Sequence, residues 1–486
     1  MSTEHRLERL FNPKTMAVVG ISLKGKDPAS GWAAGGGQYI REYQRLGYEG
    51  HIYPIHLTAT DDILGLKPYK SLLDVPEPID FCVICLPPKA VPDVLEDCAK
   101  VGVKFAHIFS AGFSETGEPE GIELEKRIAE IAKRGNIGVI GPNCNGLAYV
   151  PSAKISMWPI LPPRSGPVAY LSQSGVNCFQ FITYGLGQGL LFSKVVSYGN
   201  AAVLDATDYL DYYAQDPETK IICAYIEGVK DGKKFTQLVK ETNKKKPVVI
   251  WKGGVTSVGA RAASSHTGAL AGNEEVWDAF FKQTGAIRVS SLEELADVAM
   301  TLLYLRPRPR GNRVGVMLGG GGYSVQTADL CTKEGLELPI FSEETQKELK
   351  SFIAVTGAGF KNPLDSEPMA EHSEQIFGAI KTLSADPSID TIIMSTELGF
   401  LRGAEKVKEL TENLTQFAQD NPYKKPIAAI MDSAMARGDE MKEAVSALKK
   451  ALPRAAVPLY RTMARLVRAV AKVTEYYRFC AESKEE

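Results

Sequence analysis

The stretch TMAVVGISLKGKDPASGWAAGGGQYI, Thr15 to Ile40, decides the fold. Its first part is a run of β-prone apolar residues ending at Gly20. Its second part is a loop rich in Gly, Ser and Ala that opens into a helical pattern. A strand that passes through glycine into a helix is one βα unit, the building block of a parallel sheet. The alternation continues outward from there. GHIYPIH, DFCVICLPP, FAHIFSAGF and IGVIGPN read as further strands, with helical stretches such as AVPDVLEDCAKVG and GIELEKRIAEIAKRG between them.

MWPILPPRSGP, Met157 to Pro167, is rich in proline and reads as a linker. A second series follows it: VAYLSQSG, SKVVSYGN, KIICAYIEGV, PVVIWKGG and AIRVSS, with helices such as DATDYLDYYAQD. RPRPRGN, Arg306 to Asn312, is a second linker. The third series is RVGVMLGGGGYSV, TIIMSTELG, PIAAIMDS and AAVPLYRT, closed by the helical ARLVRAVAKVTEYYRF. The fold class is α/β, with three parallel-sheet units in tandem. That agrees with a chain of 486 residues at about 150 residues per domain.

Composition removes several function classes. Lys plus Arg is 56 against 58 for Asp plus Glu, a balance with no overall pull toward nucleic acid or an anionic membrane. The opening MSTEHRLERLFNP mixes charges without an apolar core, so no signal peptide is expected. No apolar run approaches the roughly 20 residues of a membrane helix. Eight cysteines are too sparse for a disulfide framework. Cys82 and Cys85 form a lone CxxC on a strand, with no second pair to complete a zinc site, so no metal site is expected. The expectation is a reduced, cytoplasmic protein.

Ligands of parallel sheets bind where strands end and helix N-termini expose N–H groups. At Gly20 the spacing is not G-x-G-x-x-G, and no acidic residue closes GHIYPIH. An NAD-dependent oxidoreductase is thereby disfavoured, and a nucleotide-like ligand other than a dinucleotide fits better. In YLSQSGVNCFQF, Ser172, Ser174 and Gly175 stand at a strand-to-helix step that suits an anion or a plain N-cap. Glu227 directly follows the strand IICAYI, as a solvated loop residue or the partner of a site residue. His266 sits in ASSHTGALAG among small residues, either a surface histidine or an imidazole nucleophile able to carry a phosphoryl group. A carboxylate accepting from one ring nitrogen would leave the other nucleophilic.

VVGIS, SAGFSE, GPNCNG, YLSQSG, VSYGNAAVLDATDYL, YIEGVKDGKKF, KKKPVVIWKGG and SSHTGALAG occur in this order along the chain. Together they resemble the alpha subunits of NDP-forming (ADP-forming) acyl-CoA synthetases, the succinyl-CoA synthetase superfamily. The resemblance implies three tandem Rossmann- and flavodoxin-like domains. These are a CoA-binding domain over 1–156, a ligase domain with the phosphohistidine loop over 166–305, and a second flavodoxin-like domain over 312–486. The implied reaction converts acyl-CoA, ADP and phosphate to acid, CoA and ATP through an acyl phosphate and a phosphohistidine. His266 matches the phosphorylated histidine and Glu227 its supporting carboxylate. Ser172, Gln173, Ser174 and Gly175 match the helix start that receives the phosphoryl group. Gly20, Ser22, Pro54, Ser110, Gly112, Asn143 and Cys144 fall where that family holds CoA and the thioester end.

Two departures stand out. The loop after Gly20 runs long, through SGWAAGGGQ. The third unit reads MLGGGGYSV and FKNPLDSEP where relatives carry an Asn before the glycines and NPVDL. No ATP-grasp domain is recognisable, so the resemblance implies a separate ATP-grasp beta subunit that binds ADP or ATP with Mg2+, in a heteromer. Trp158, Phe179 and Tyr198 suggest a partly apolar acyl pocket. The alternative is a non-catalytic CoA- or acyl-CoA-binding subunit that regulates or scaffolds.

Overall fold

The computed structural model describes residues 4–22, 35–256, 258–259, 274–355, 358–401 and 403–482. The chain forms two compact units, 1–295 and 296–486. The first unit carries two sheets. One is built from β1 Thr15–Val19, β2 His51–Ile55, β3 Phe81–Ile84, β4 Phe105–Ile108 and β5 Gly138–Ile140, in the order β2-β1-β3-β4-β5. All its pairings are parallel. The three central strands, β1, β3 and β4, are buried on both faces, as a sheet covered by helices on each side requires. Helices Val91–Val101 and Pro119–Gly135 pack Leu95, Cys98, Ile128 and Ile131 onto it. Each starts with a proline in its first turn, where no N–H is needed. They end at Gly102 and Asn136 in the left-handed conformation.

The second sheet holds β6 Gly146–Val150, β7 Ile155–Ser156, β8 Val168–Ser172, β9 Phe192–Ser197, β10 Ile221–Ile226, β11 Val248–Lys252 and β12 Ile287–Val289. Their order is β12-β11-β10-β8-β9-β6-β7. β8 to β12 run parallel, whereas β6 lies antiparallel on β9 and β7 antiparallel on β6. Residues 146–156, placed with the first domain on sequence, therefore form the far edge of the second sheet. The Met157–Pro167 linker is also more anchored than its prolines suggest, because Met157, Trp158 and Leu161 are buried.

The second unit, 296–486, has β13 Val314–Leu318, β14 Ala358–Gly359, β15 Leu364–Ser366, β16 Thr391–Glu397 and β17 Ile427–Asp432, ordered β14-β15-β13-β16-β17. AAVPLYRT makes only an isolated bridge, Ala429 to Leu459, rather than a strand. β14 and β15 had no sequence signal of their own. Among the described residues, no helix is long and apolar enough to cross a membrane.

All three sheets are wound alike. In each, the strand order reverses beside the first parallel strand, between β1 and β3, β8 and β10, and β13 and β16. Such a switch point opens a crevice at the carboxyl ends of the strands.

The two sheets of the first unit meet along a run of backbone bonds. The N–H groups of Asn200, Ala202 and Leu204 donate to the carbonyls of Pro142 (3.1 Å), Gly141 (2.9 Å) and Val139 (3.1 Å). Gly199 sits inside this seam at φ +53°, and a Cβ there would lie 2.3 Å from the Pro142 carbonyl oxygen. Gly199→Ala is expected to cost about 2–3 kcal/mol through clash and backbone strain. Differential scanning calorimetry should show the first-unit transition lowered by several degrees.

Candidate functional site

At the switch point of the first sheet, Gly20 ends β1 at φ +87° and packs directly on the Cys85 carbonyl, where a Cβ would come within 2.2 Å. Only glycine fits that approach. Gly36, the first residue of helix Gly36–Leu46, donates its N–H to the Gly20 carbonyl at 3.1 Å. A cavity of about 400 Å³ opens beside Gly20, with Thr58, Lys70 and Ser71 among its polar lining and Ile55 and Leu86 among its apolar lining. Ser22 is exposed next to residues outside the description. Pro54 differs from expectation. It is buried within β2, paired with Val18, and the cavity is lined from Ile55 onward instead. β2 is an edge strand, which is where a proline can be accommodated.

Ser110, Gly112, Asn143 and Cys144 gather at the ends of β4 and β5. The Ser110 hydroxyl donates to the Leu86 carbonyl, and the Asn143 N–H donates to the Ser110 carbonyl at 2.9 Å. Gly112 lies at φ +106° against Pro88, and Asn143 is left-handed at φ +60°. Cys144 is buried, and burial pushes its thiol up to about 12, so it stays a thiol at neutral pH. Its carbonyl accepts from His107 Nε2 at 3.0 Å. Burial drives His107 down to about 4, which keeps that ring neutral.

At the second switch point the geometry is tightest. Gln173 follows β8, and its Oε1 accepts from the backbone N–H of Glu227 at 2.6 Å and of Gly228 at 3.0 Å, across the crevice from β10. Ser172 is fully buried and donates to the Ser174 carbonyl at 2.8 Å. Ser174 caps helix Gly175–Gly187, its Oγ accepting from Asn177 N–H at 3.3 Å. The N-cap reading of that serine therefore holds, and the helix start remains beside it. Glu227 is 4 % exposed and its Oε1 accepts from the Tyr225 hydroxyl at 3.1 Å, so it is a buried carboxylate rather than a solvated one. Lys252 ends the neighbouring β11. It is buried over the Trp277 ring at 5.3 Å, and burial pulls its ammonium down to about 8 against the lift from Glu227.

His266 lies outside the described residues. The other predicted residues fall into three groups, two of which are joined by Asn145. Its side-chain N–H donates to the Gly175 carbonyl at 3.0 Å, tying GPNCNG to the start of the helix. Sequence reasoning passed over Asn145, and also Asn200, Glu115 and Glu125, which form a polar knot at the seam between the sheets. Their motifs, GPNCNG, VSYGN and SAGFSE, were in view, but the contacts between them are not local. Trp158 and Tyr198 are core side chains, 4 % and 1 % exposed, packed on Phe179 and Tyr209 respectively.

Comparison with known proteins agrees with this layout. Residues 14–150 match the family described as a CoA binding domain, and residues 165–302 match the succinyl-CoA ligase like flavodoxin domain. The alpha subunit of the ADP-forming acetate–CoA ligase I of Pyrococcus furiosus is 36% identical over 490 residues, covering 99% of this chain and 100% of the relative. The ADP-forming acetate–CoA ligase of Methanocaldococcus jannaschii is 40% identical over 363 residues, covering 74% of this chain and 49% of that longer protein. Among solved structures, the dinucleotide-forming acetyl-coenzyme A synthetase 1 of Candidatus Korarchaeum cryptofilum, in complex with phosphate and ADP, superposes with a TM-score of 0.83. It is 33% identical, with 99% of this chain and 98% of that one covered. The chain belongs to the family of ADP-forming acyl-CoA synthetases, as an alpha subunit.

Proposed function

We propose that this alpha subunit carries a phosphoryl group from an acyl phosphate to a nucleotide by way of His266. In the proposed sequence, a phosphate oxygen attacks the thioester carbonyl of acyl-CoA. The C–S bond breaks, and the sulfur leaves as CoA. A ring nitrogen of His266 then attacks phosphorus and expels the carboxylate, and ADP takes the phosphoryl group from the imidazole. The first sheet serves as the CoA-binding domain, with Gly20, Ser22, Ser110, Gly112, Asn143 and Cys144 around the ligand. Pro54 acts only by fixing the strand beneath it. Ser172 to Gly175 supply the helix start for the anion.

The single observation that carries this reading is the Gln173 bridge to Glu227. It holds a buried carboxylate at a switch-point crevice next to a capped helix N-terminus, the pairing that a phosphorylated imidazole requires. The nucleotide, with Mg2+, belongs to an ATP-grasp beta subunit in a heteromer. The length of the Methanocaldococcus jannaschii relative, of which this chain matches 49%, supports such a second half. Free cysteines throughout the chain fit a cytoplasmic setting.

Relatives are named for acetate, 4-hydroxybutyrate and trans-ferulate, so the acid is a small carboxylate with acetate foremost. The test is a panel of these acids with ATP, CoA and the co-purified second polypeptide, scored for CoA-dependent ADP release. Acetate should give the largest signal. CoA binding without ADP release for any acid would leave only a scaffold role.

A further inference from the structure

The Gln173 bridge fixes the backbone of Glu227 and Gly228 and leaves the torsions of the Glu227 side chain to be set by other contacts. Tyr225 stands two residues earlier on β10, so the two side chains leave the chain on one face of the sheet. Its hydroxyl donates to Glu227 Oε1 at 3.1 Å. Burial, and then the charge of Glu227, push the phenol above its ordinary range, so it keeps its proton and serves as the donor.

The tyrosine is itself seated on its neighbours. Its carbonyl accepts from the Gln173 N–H at 3.1 Å, and its ring meets Trp251, its register partner on β11, edge-on at 4.8 Å. Gly253 lies against the hydroxyl, where a Cβ would come within 2.5 Å of the phenol oxygen. The absence of a side chain at that position keeps open the seat that the hydroxyl fills. Asn177, in the first turn of helix Gly175–Gly187, bonds the phenol through its side chain. These contacts fix the phenol, and the phenol fixes the carboxylate. A carboxylate already ordered loses no rotamer freedom when it meets its partner.

We infer that Tyr225 is a positioning residue for the phosphoryl transfer, its hydroxyl holding the Glu227 carboxylate in the orientation the reaction uses. The inference rests on the phosphohistidine reading above and adds a residue that acts through Glu227.

The test follows single-turnover labelling of the full chain from ³²P-labelled phosphate and acetyl-CoA. Tyr225→Phe keeps the ring against Trp251 and removes only the hydroxyl. Its labelling rate at saturating substrates should fall on the order of tenfold, the worth of one hydrogen bond to a charged group. The half-saturating concentrations of phosphate and acetyl-CoA should stay within about twofold of the wild type. A wild-type rate, or a loss confined to half-saturation, would overturn the inference. In a Glu227→Gln background the same substitution should slow labelling by less than about twofold, because the charge that the hydroxyl positions is gone. A merely structural hydroxyl would slow both backgrounds equally, and that result would overturn the inference as well. Absence of label from the wild type would instead strike the relay itself, and this role with it.

Discussion

His266→Ala is expected to abolish acid-labile labelling of the chain while leaving CoA release intact. The labelling mixture contains ³²P-labelled phosphate, acetyl-CoA and the alpha subunit. On the proposed route, phosphate displaces CoA in the wild type and the resulting acyl phosphate passes its phosphoryl group to the ring, giving label that should be lost in acid and kept in base. The variant should still release CoA to a limited extent, because on the proposed route the ring takes no part in breaking the thioester. With the ring absent, label should fall to background, and ATP formation with the beta subunit should drop by about 10⁴-fold or more. Label retained at wild-type stoichiometry would place the phosphoryl group on another residue and end the proposed relay.

Glu227→Gln comes next in size. The change keeps the shape of the side chain and an oxygen to accept from the Tyr225 hydroxyl, and the Gln173 bridge uses only backbone N–H groups of residues 227 and 228. What disappears is the charge. A carboxylate that orients an imidazole and stabilises its cation is worth about 10²–10⁴-fold in comparable arrangements. Single-turnover phosphorylation should therefore slow by that range, with CoA affinity unchanged within about twofold. Stability should change little, because the cheaper desolvation of a neutral amide offsets the lost attraction to the buried Lys252 ammonium. An inactive variant that melts at or above the wild-type temperature separates the catalytic role from a structural one. Wild-type phosphorylation in Glu227→Gln would remove Glu227 from the mechanism.

Much of this was legible in the chain itself. Runs such as VAYLS and IICAYI announce buried parallel strands because nearly every residue is apolar, and the glycines after them mark the turns into helices. The same pattern could not place Gly146–Val150. Its residues are as apolar as those of its neighbours, and antiparallel pairing on β9 depends on where the chain returns in space rather than on local periodicity. Aromatic side chains misled for a related reason. Trp158 and Tyr198 look like pocket walls in sequence, yet large rings are also what fills the core beneath a crevice. The motif residues of the second switch point were found because each lies at the end of a strand. Asn200 was not singled out, since its importance comes from Glu115 and Glu125, more than 70 residues earlier.

The antiparallel edge of the second sheet also governs how the chain can be dissected. A fragment ending at residue 156 would keep β6 and β7 but leave behind β9, the strand that β6 hydrogen-bonds. It would expose an apolar ribbon ready to pair with other copies. The remaining piece would meanwhile present a bare flank along Phe192–Ser197. Cutting before Gly146 instead keeps each ladder whole, so a separately expressed CoA-binding half should stop near Asn145 if it is to stay monomeric.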